Sequence, residues 1–374
     1  MKQAVISGTG LYTPPHSISN QELVTCFNAW ARQFNTDNRA AIDAGEMAAI
    51  EESSAEFIEK VSGIKSRFVM EKAGILDPQR MVSQIPERAD DALSLQAEMA
   101  VAAATQALAR AGRSAKDIDM VLVACSNLQR PYPAMSIEVQ HALGINGYGF
   151  DMNVACSSAT FAIQTATAAI QSGQARAVLV LNPEITSGHL NWRDRDSHFI
   201  FGDACTALVI EDKATATSSH QFEILGTRLK TSFSNNIRNN FGFLNRFDES
   251  GKDQSDKLFR QQGRKVFKEV CPMAAEMIKE GIAAAGLEVA QVERYWLHQA
   301  NLSMNLLITR MVLGRDAVAL EAPVILDTYG NTSSAGSIIA FHNHQDDLAA
   351  GAHGVICSFG AGYSIGCVVL RKLH

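Results

Sequence analysis

The chain has 374 residues, 47% of them hydrophobic and 19% charged, which is enough apolar side chain for a large core or two fused half-domains and excludes an intrinsically disordered protein. A formal charge of −6 with no run of Lys or Arg argues against a surface that tracks nucleic acid, and leaves room only for a discrete basic rim around a pocket. No segment approaches a membrane span, the opening MKQAVISGTGLYTP meets Gly and Pro too early for a signal sequence, and the seven Cys are scattered without CxxC pairs, so the chain reads as cytoplasmic, with neither a disulfide framework nor a zinc site.

In chain order, Ala4-Val5-Ile6 followed by Gly8, Gly10 and Pro14 predicts a short buried strand ending in a turn. From Asn20 to Gly63 the pattern is helical, with Asp43, Glu46, Glu51, Glu52, Glu56 and Glu59 on a solvated face. Pro78 and Pro86 bracket a loop, and Pro86 to Gly112 predicts a long Ala-rich helix that stops at glycine. Met120 to Cys125 is an apolar strand, and Phe150 to Cys156 is another that runs into a helix from Ser157 to Ser172. Ala177 to Leu181 and Ala207 to Ile210 add two further strands.

The second half repeats this grammar. Phe222 to Thr227 resembles the opening Val5 to Thr9, and Tyr295 to His298 parallels the strand ending at Cys125. Val324-Ile325-Leu326 is expected to lead, as a strand, through Gly330-Asn331-Thr332-Ser333-Ser334-Ala335 into a helix, as the Cys156 strand does. Phe201-Gly202-Asp203-Ala204 is echoed by Phe359-Gly360-Ala361-Gly362. Two copies of one β/α half are therefore expected, residues 1–215 and 216–374, meeting between Asp212 and Gln221.

Chemistry concentrates at three places. Cys156 sits at a strand-to-helix junction, where the unsatisfied N–H groups of the helix are expected to lower the thiol pKa and to cradle an oxyanion; a buried Cys that only packs is the alternative. His298 ends an apolar strand in the opposite half and is expected to be exposed at the sheet edge. Asn331 holds, by the internal repeat, roughly the place of Cys156 in the second half, though a turn or helix-cap Asn fits too. His342 and His344 are discounted as metal ligands, since two residues apart in a predicted helix they face different ways.

The stretches Asp151 to Ser158, Phe201 to Ala204, His298 to Asn301, Gly330 to Ala335 and Ser358 to Gly362 together resemble the β-ketoacyl-ACP synthase III family, over nearly the whole chain. The resemblance implies an α/β, thiolase-like, five-layered αβαβα sandwich and a homodimer. It implies a catalytic triad of Cys156, His298 and Asn331, an oxyanion hole at the backbone N–H groups of Cys156 and Ala361, and decarboxylative condensation of an acyl-CoA or related thioester with malonyl-ACP. No cofactor or metal is implied; CoA and phosphopantetheine serve as substrate carriers.

Phe57, Tyr132, Arg195 and Phe201 are the implied substrate-binding residues, and Lys268 and Arg310 the carrier-protein docking residues. Phe57 and Val61 align where many members clamp the CoA adenine with Trp and Arg, whereas Arg195 matches the family's other nucleotide-contacting Arg. The aromatic aligned with Tyr132 crosses the dimer interface to bound the acyl pocket. Insertions near 27–52 and 71–88 are expected to pack by the pocket entrance as an extra apolar wall, favouring medium-chain primers. The competing readings are a biosynthetic thiolase, a non-decarboxylating condenser (head-to-head or hydroxymethylglutaryl-CoA-synthase-like) and a non-catalytic partner subunit. The thiolase reading is weakened because Ser358 stands where that enzyme needs Cys, and Cys357 points to the other face of the strand.

Overall fold

The computed structural model describes residues 2–239 and 258–374. The first half comprises β1 (Ala4–Tyr12), β2 (His16–Ser19), α1 (Asn20–Asp37), α2 (Arg39–Asp43), α3 (Ala55–Ser62), β3 (Ser66–Val69), α4 (Leu95–Ala111), β4 (Met120–Ala124), α5 (Met135–Leu143), β5 (Tyr148–Met152), α6 (Ser158–Ser172), β6 (Ala177–Glu184) and β7 (Ala204–Asp212). The second half comprises β8 (Phe222–Thr231), β9 (Ile237–Arg238), β10 (Arg260–Gln261), α7 (Gly263–Ala284), β11 (Val292–Leu297), α8 (Leu302–Leu313), α9 (Leu326–Tyr329), α10 (Ala335–Asn343), β12 (His353–Gly360) and β13 (Ser364–Lys372).

Among the described residues a 9-stranded sheet runs in the order β11-β12-β13-β8-β1-β7-β6-β4-β5. It is two sheets joined at a narrow seam, since β1 and β8 pair only at Val5 with Glu223 and Ile6 with Phe222. The apolar faces explain the stacking. Helices α6 and α10 bury Ala159, Ile163, Ile170, Ile338 and Phe341 between the two sheets, α4 and α5 cover the outside of the first, and α7 and α8 the outside of the second. These are the five layers of a thiolase-like sandwich.

Close packing accounts for the composition. A Cβ on Gly8 would fall 2.1 Å from the Ala107 carbonyl oxygen and one on Gly10 2.0 Å from that of Ala103, so the Ala-rich α4 lies directly on the β1 backbone. This helix begins at Leu95, not at the predicted Pro86; residues 86–94 are irregular, and Ser94 N and Oγ donate instead to the Glu138 carboxylate. The long helical stretch from Asn20 is likewise broken, into α1, α2 and α3.

The predicted strand at Val324–Leu326 does not form. The amides of Ile325 and Leu326 donate to Gln299 Oε1 at 3.0 and 3.3 Å, a side-chain acceptor standing where a neighbouring strand would have bonded, and the short α9 follows. The second half therefore contributes four strands to the sheet and the first half five.

A satellite core stands behind the wall formed by Phe199, Ile200 and Phe201. Phe27 of the first insertion and Ile75 and Met81 of the second pack there with Trp192. Arg67, fully buried, braces the wall by donating to the carbonyls of Ile18 and Phe199 and to Asn20 Oδ1. The insertions thus back the pocket wall; neither lines the cavity at the seam of the halves, contrary to the expectation of a new apolar wall at the entrance.

Candidate active site

A cavity of about 360 Å³ opens where the two halves meet, and Cys156, His298 and Asn331 all line it. Three loops bring them together. After β5 the chain turns through Ala155, whose φ of 47° is unusual for a non-glycine residue, and delivers Cys156 to the N-terminal end of α6. Its neighbour from the second half is Gly360. A Cβ there would come within 2.6 Å of Cys156 Cβ and 3.0 Å of Sγ, so only glycine lets the two halves close on the thiol.

His298 follows β11, its amide bonded to the Cys357 carbonyl at 2.8 Å. It is 2% exposed, which corrects the expectation of an open sheet edge: the Phe359 ring closes over it, centroids 5.2 Å apart and nearly perpendicular. Asn331 is set by main-chain bonds to the Phe201 segment, its N–H donating to the Ile200 carbonyl and its own carbonyl accepting from Gly202. Its Oδ1 accepts from the Ser333 amide at 2.9 Å, which leaves the Nδ2 group to donate. Ser333 in turn donates its hydroxyl to Cys156 Sγ across 3.4 Å.

The thiol is less acidic than the helix terminus suggested. Burial pushes Cys156 up to about 11; hydrogen bonds from Ser333 and from the backbone N–H groups of Ala361 and of Cys156 itself pull it down, and the charge of Glu184 raises it. Burial also lowers His298 to about 4, opposed by the nearby Ser333 backbone. Burial thus favours the uncharged form of both groups, which line the same cavity. The backbone N–H groups that reach Sγ are those of Cys156 and Ala361.

The repeated Phe-Gly loops divide the remaining work. Phe201 lines the cavity; Gly202 packs so closely that a Cβ would fall 2.2 Å from the Tyr329 carbonyl oxygen; and Asp203, buried, accepts from the amides of Ser187 and Met70. In the second loop Phe359 covers His298, Gly360 admits the thiol and Ala361 supplies an N–H.

Other expected residues lie further out. The guanidinium of Arg195 rests over the Phe57 ring, 4.3 Å from its centroid, and donates to the Glu52 carbonyl; neither residue lines the cavity, but Phe57 meets the lining residue Phe199 edge-on. With ring and guanidinium already in contact, no gap for an adenine lies between them. Tyr132 is 81% exposed and outside the cavity of its own chain. Lys268 is exposed on α7, and Arg310 is ion-paired with Asp316 at 2.6 Å. Arg264, one turn before Lys268 on α7, borders the cavity and escaped the sequence reading, as did Ser333 and Glu184. Among the described residues no group of three or more His, Cys, Asp or Glu is placed to hold a metal ion: His342 bonds Thr9, and His344 lies just beyond the end of α10. No helix among them is long and apolar enough to cross a membrane.

Paired halves with a cysteine, a histidine and an asparagine converging at the seam define a thiolase-like condensing enzyme. Residues 150–232 match the family model of 3-oxoacyl-[acyl-carrier-protein] synthase III, and residues 282–372 match that of its C-terminal region. The β-ketodecanoyl-[acyl-carrier-protein] synthase of Pseudomonas aeruginosa is 70% identical over 92% of this chain and 99% of its own length. The β-ketoacyl-[acyl-carrier-protein] synthase III of Granulibacter bethesdensis is 29% identical over 99% of this chain and 100% of its own. The crystal structure of the Aquifex aeolicus 3-oxoacyl-[acyl-carrier-protein] synthase III superposes with a TM-score of 0.76 at 25% identity, covering 98% of this chain and 99% of that one. The chain belongs to the β-ketoacyl-ACP synthase III family and is an acyl-transferring condensing enzyme of fatty acid synthesis.

Proposed function

We propose that the enzyme works through an acyl-cysteine intermediate, takes a medium-chain acyl-CoA as primer, extends it with malonyl-ACP, and does so as a homodimer. In the first half-reaction Cys156 Sγ attacks the thioester carbonyl and the CoA thiol leaves with the proton. In the second, malonyl-ACP loses carbon dioxide, and the enolate oxygen receives hydrogen bonds from His298 and Asn331. Its carbon then attacks the acyl group, and Cys156 departs to be reprotonated. The backbone N–H groups of Cys156 and Ala361 hold the tetrahedral oxyanion in both steps. The observation that carries this reading is the convergence of Cys156, His298 and Asn331 on one cavity, with those two N–H groups directed at the sulfur.

A relative's product and the cavity walls both support an eight-carbon primer. A synthase named for its β-ketodecanoyl product makes a ten-carbon chain; subtracting the two carbons that malonyl contributes leaves an eight-carbon primer, and 70% identity supports carrying that to this chain. The cavity walls, rich in Phe199, Phe201, Phe259, Phe267 and Phe359, suit an apolar ligand. Four more buried methylenes at about 0.8 kcal/mol each favour octanoyl over butyryl by about 3 kcal/mol, roughly a hundredfold before ordering costs. Comparing kcat/KM for acetyl-, butyryl-, octanoyl- and decanoyl-CoA at fixed malonyl-ACP tests this: an octanoyl optimum is expected, and an acetyl optimum overturns it. Against a thiolase, Ser358 shares a buried hydrogen bond of 2.9 Å with Ser337, and Cys357 points into the outer core of the second half.

A further inference from the structure

Glu184, the last residue of β6, is fully buried and has no part in the mechanism above. Its carboxylate joins two arms. On one side it accepts from Ser126 N at 3.0 Å and Ser126 Oγ at 2.6 Å. The carbonyl of Ser126 accepts from Asn153 Nδ2 at 2.8 Å, and Asn153 Oδ1 accepts from the amide of Ala155 at 2.9 Å, so this arm ends at the residue before Cys156. On the other side Glu184 accepts from Ser334 N at 3.1 Å and from Ser334 Oγ. The preceding residue, Ser333, touches Cys156 Sγ through its hydroxyl and Asn331 through its amide, so this arm ends on the thiol and one of its partners.

Four donors converge on one side chain, and only a carboxylate has the lone pairs to accept them all; glutamine has one acceptor oxygen and would turn N–H groups toward other donors. Burying a carboxylate is costly unless its acceptor sites are used, as they are here. We infer that Glu184 is a positioning residue for the condensation: by clamping Ser126 and Ser334 it fixes the loop behind Cys156 against the loop that carries Asn331 and Ser333, and so sets the spacing between the nucleophile and the groups that receive the enolate.

Its electrostatics separate this role from help with ionisation. Burial pushes Glu184 up to about 7, opposed by the serine donors. The thiols that feel its charge are Cys156, Cys125 and Cys205, and all three are raised by it; no ion pair among the described residues includes it. An anion behind the nucleophile works against the thiolate, so the benefit of Glu184 is geometric.

Glu184→Gln therefore moves two readouts in opposite directions. With the charge gone, alkylation of Cys156 by iodoacetamide at neutral pH becomes faster and its pH profile shifts to lower pH; with the clamp broken, carbon dioxide release from malonyl-ACP falls by at least about tenfold, in kcat more than in KM. A variant that merely folds less well exposes the buried cysteines together, so the gain in alkylation must be confined to Cys156, read by peptide mass mapping, with Cys125, Cys205 and Cys357 still protected. Wild-type decarboxylation in folded Glu184→Gln, or parallel loss of both readouts, overturns the proposal. Ser334→Ala keeps the charge and removes one donor: decarboxylation should drop several-fold with the alkylation profile unmoved, and unchanged decarboxylation counts against the clamp even if the Gln variant does not fold. The inference rests on the catalytic assignment proposed above. Acyl loading on a Cys156→Ala variant would sink that assignment, whereas the Glu184 readouts test the clamp alone.

Discussion

The two junctions at the seam, residues 152–158 in the first half and 329–335 in the second, show what one local design does when used twice. Each leads into a buried helix of the middle layer, and each bends through a non-glycine residue of positive φ, Ala155 at 47° and Ser333 at 50°. They differ in their approach and in their chemistry. The first leaves a parallel strand and presents a nucleophile backed by N–H groups; the second leaves the short α9 and presents Asn331 and Ser333, beside His298. In the proposed mechanism one half attacks and the other receives negative charge. A duplicated architecture has been divided by function rather than kept symmetric, so substitutions on the two sides should fail in different half-reactions.

The largest expected effect breaks the first side. Cys156→Ala should lose acyl loading and condensation by on the order of a thousandfold or more while keeping its fold, because one small side chain replaces another. Intact-mass analysis after incubation with octanoyl-CoA checks it; an acylated variant places the nucleophile elsewhere. Next, His298→Ala and Asn331→Ala should still load on Cys156 yet release carbon dioxide from malonyl-ACP about 10²–10³-fold more slowly, the usual consequence of removing one oxyanion donor. If either decarboxylates at the wild-type rate, the division between the junctions is wrong.

The pH behaviour of the thiol sharpens the comparison. Cys156 is raised to about 11 and His298 lowered to about 4, so neither titrates in the free enzyme around neutrality. A raised thiol stays protonated below its pKa, and the thiolate fraction grows as pH rises toward it. The rate of alkylation should therefore keep climbing past the ordinary thiol value of about 8.5 without levelling off. A plateau near neutral pH would mean that a thiolate–imidazolium pair is already formed.

The smallest effects are expected at the two side chains that the family resemblance implies for carrier docking, both in the second half. Lys268→Glu should raise KM for malonyl-ACP roughly several-fold and weaken its salt dependence, leaving acyl loading untouched. Arg310→Ala should do less, since Asp316 already engages that guanidinium. Steady-state kinetics at two ionic strengths separates them.

Much of this was legible in the chain. The strand-to-helix grammar and its repetition pointed to two β/α halves, the family resemblance implied their layering, and the Cys156, His298 and Asn331 loops were readable because small residues and turn residues are compulsory where backbones meet so closely. The misreadings share one cause, tertiary groups that sequence neighbours do not reveal. Gln299 supplied the acceptor that ended the expected strand at Val324–Leu326, Phe359 from a distant strand buried His298, and desolvation outweighed the helix terminus at Cys156. Glu184 did leave a trace, a lone carboxylate closing the apolar run from Ala177, but nothing local says that its partners are Ser126 and Ser334. Arg264 left none, since its place at the cavity depends on how α7 lies against the second sheet.

The narrow seam between β1 and β8 has a consequence for the order of synthesis. The first half can pair its five strands as it emerges, but α6 presents Ala159, Ile163 and Ile170 to a layer whose other members, α10 and β11 to β13, arrive last. Only the two register pairs of β1 with β8 tie the sheets directly, so the nascent chain carries an uncovered apolar face until the second half has emerged. A chain cut short after β7 should be a sticky, chaperone-dependent fragment and not a smaller enzyme. Cys156 exists in that fragment, but the cavity it lines is completed only by the second half, from Ile237 to Gly360.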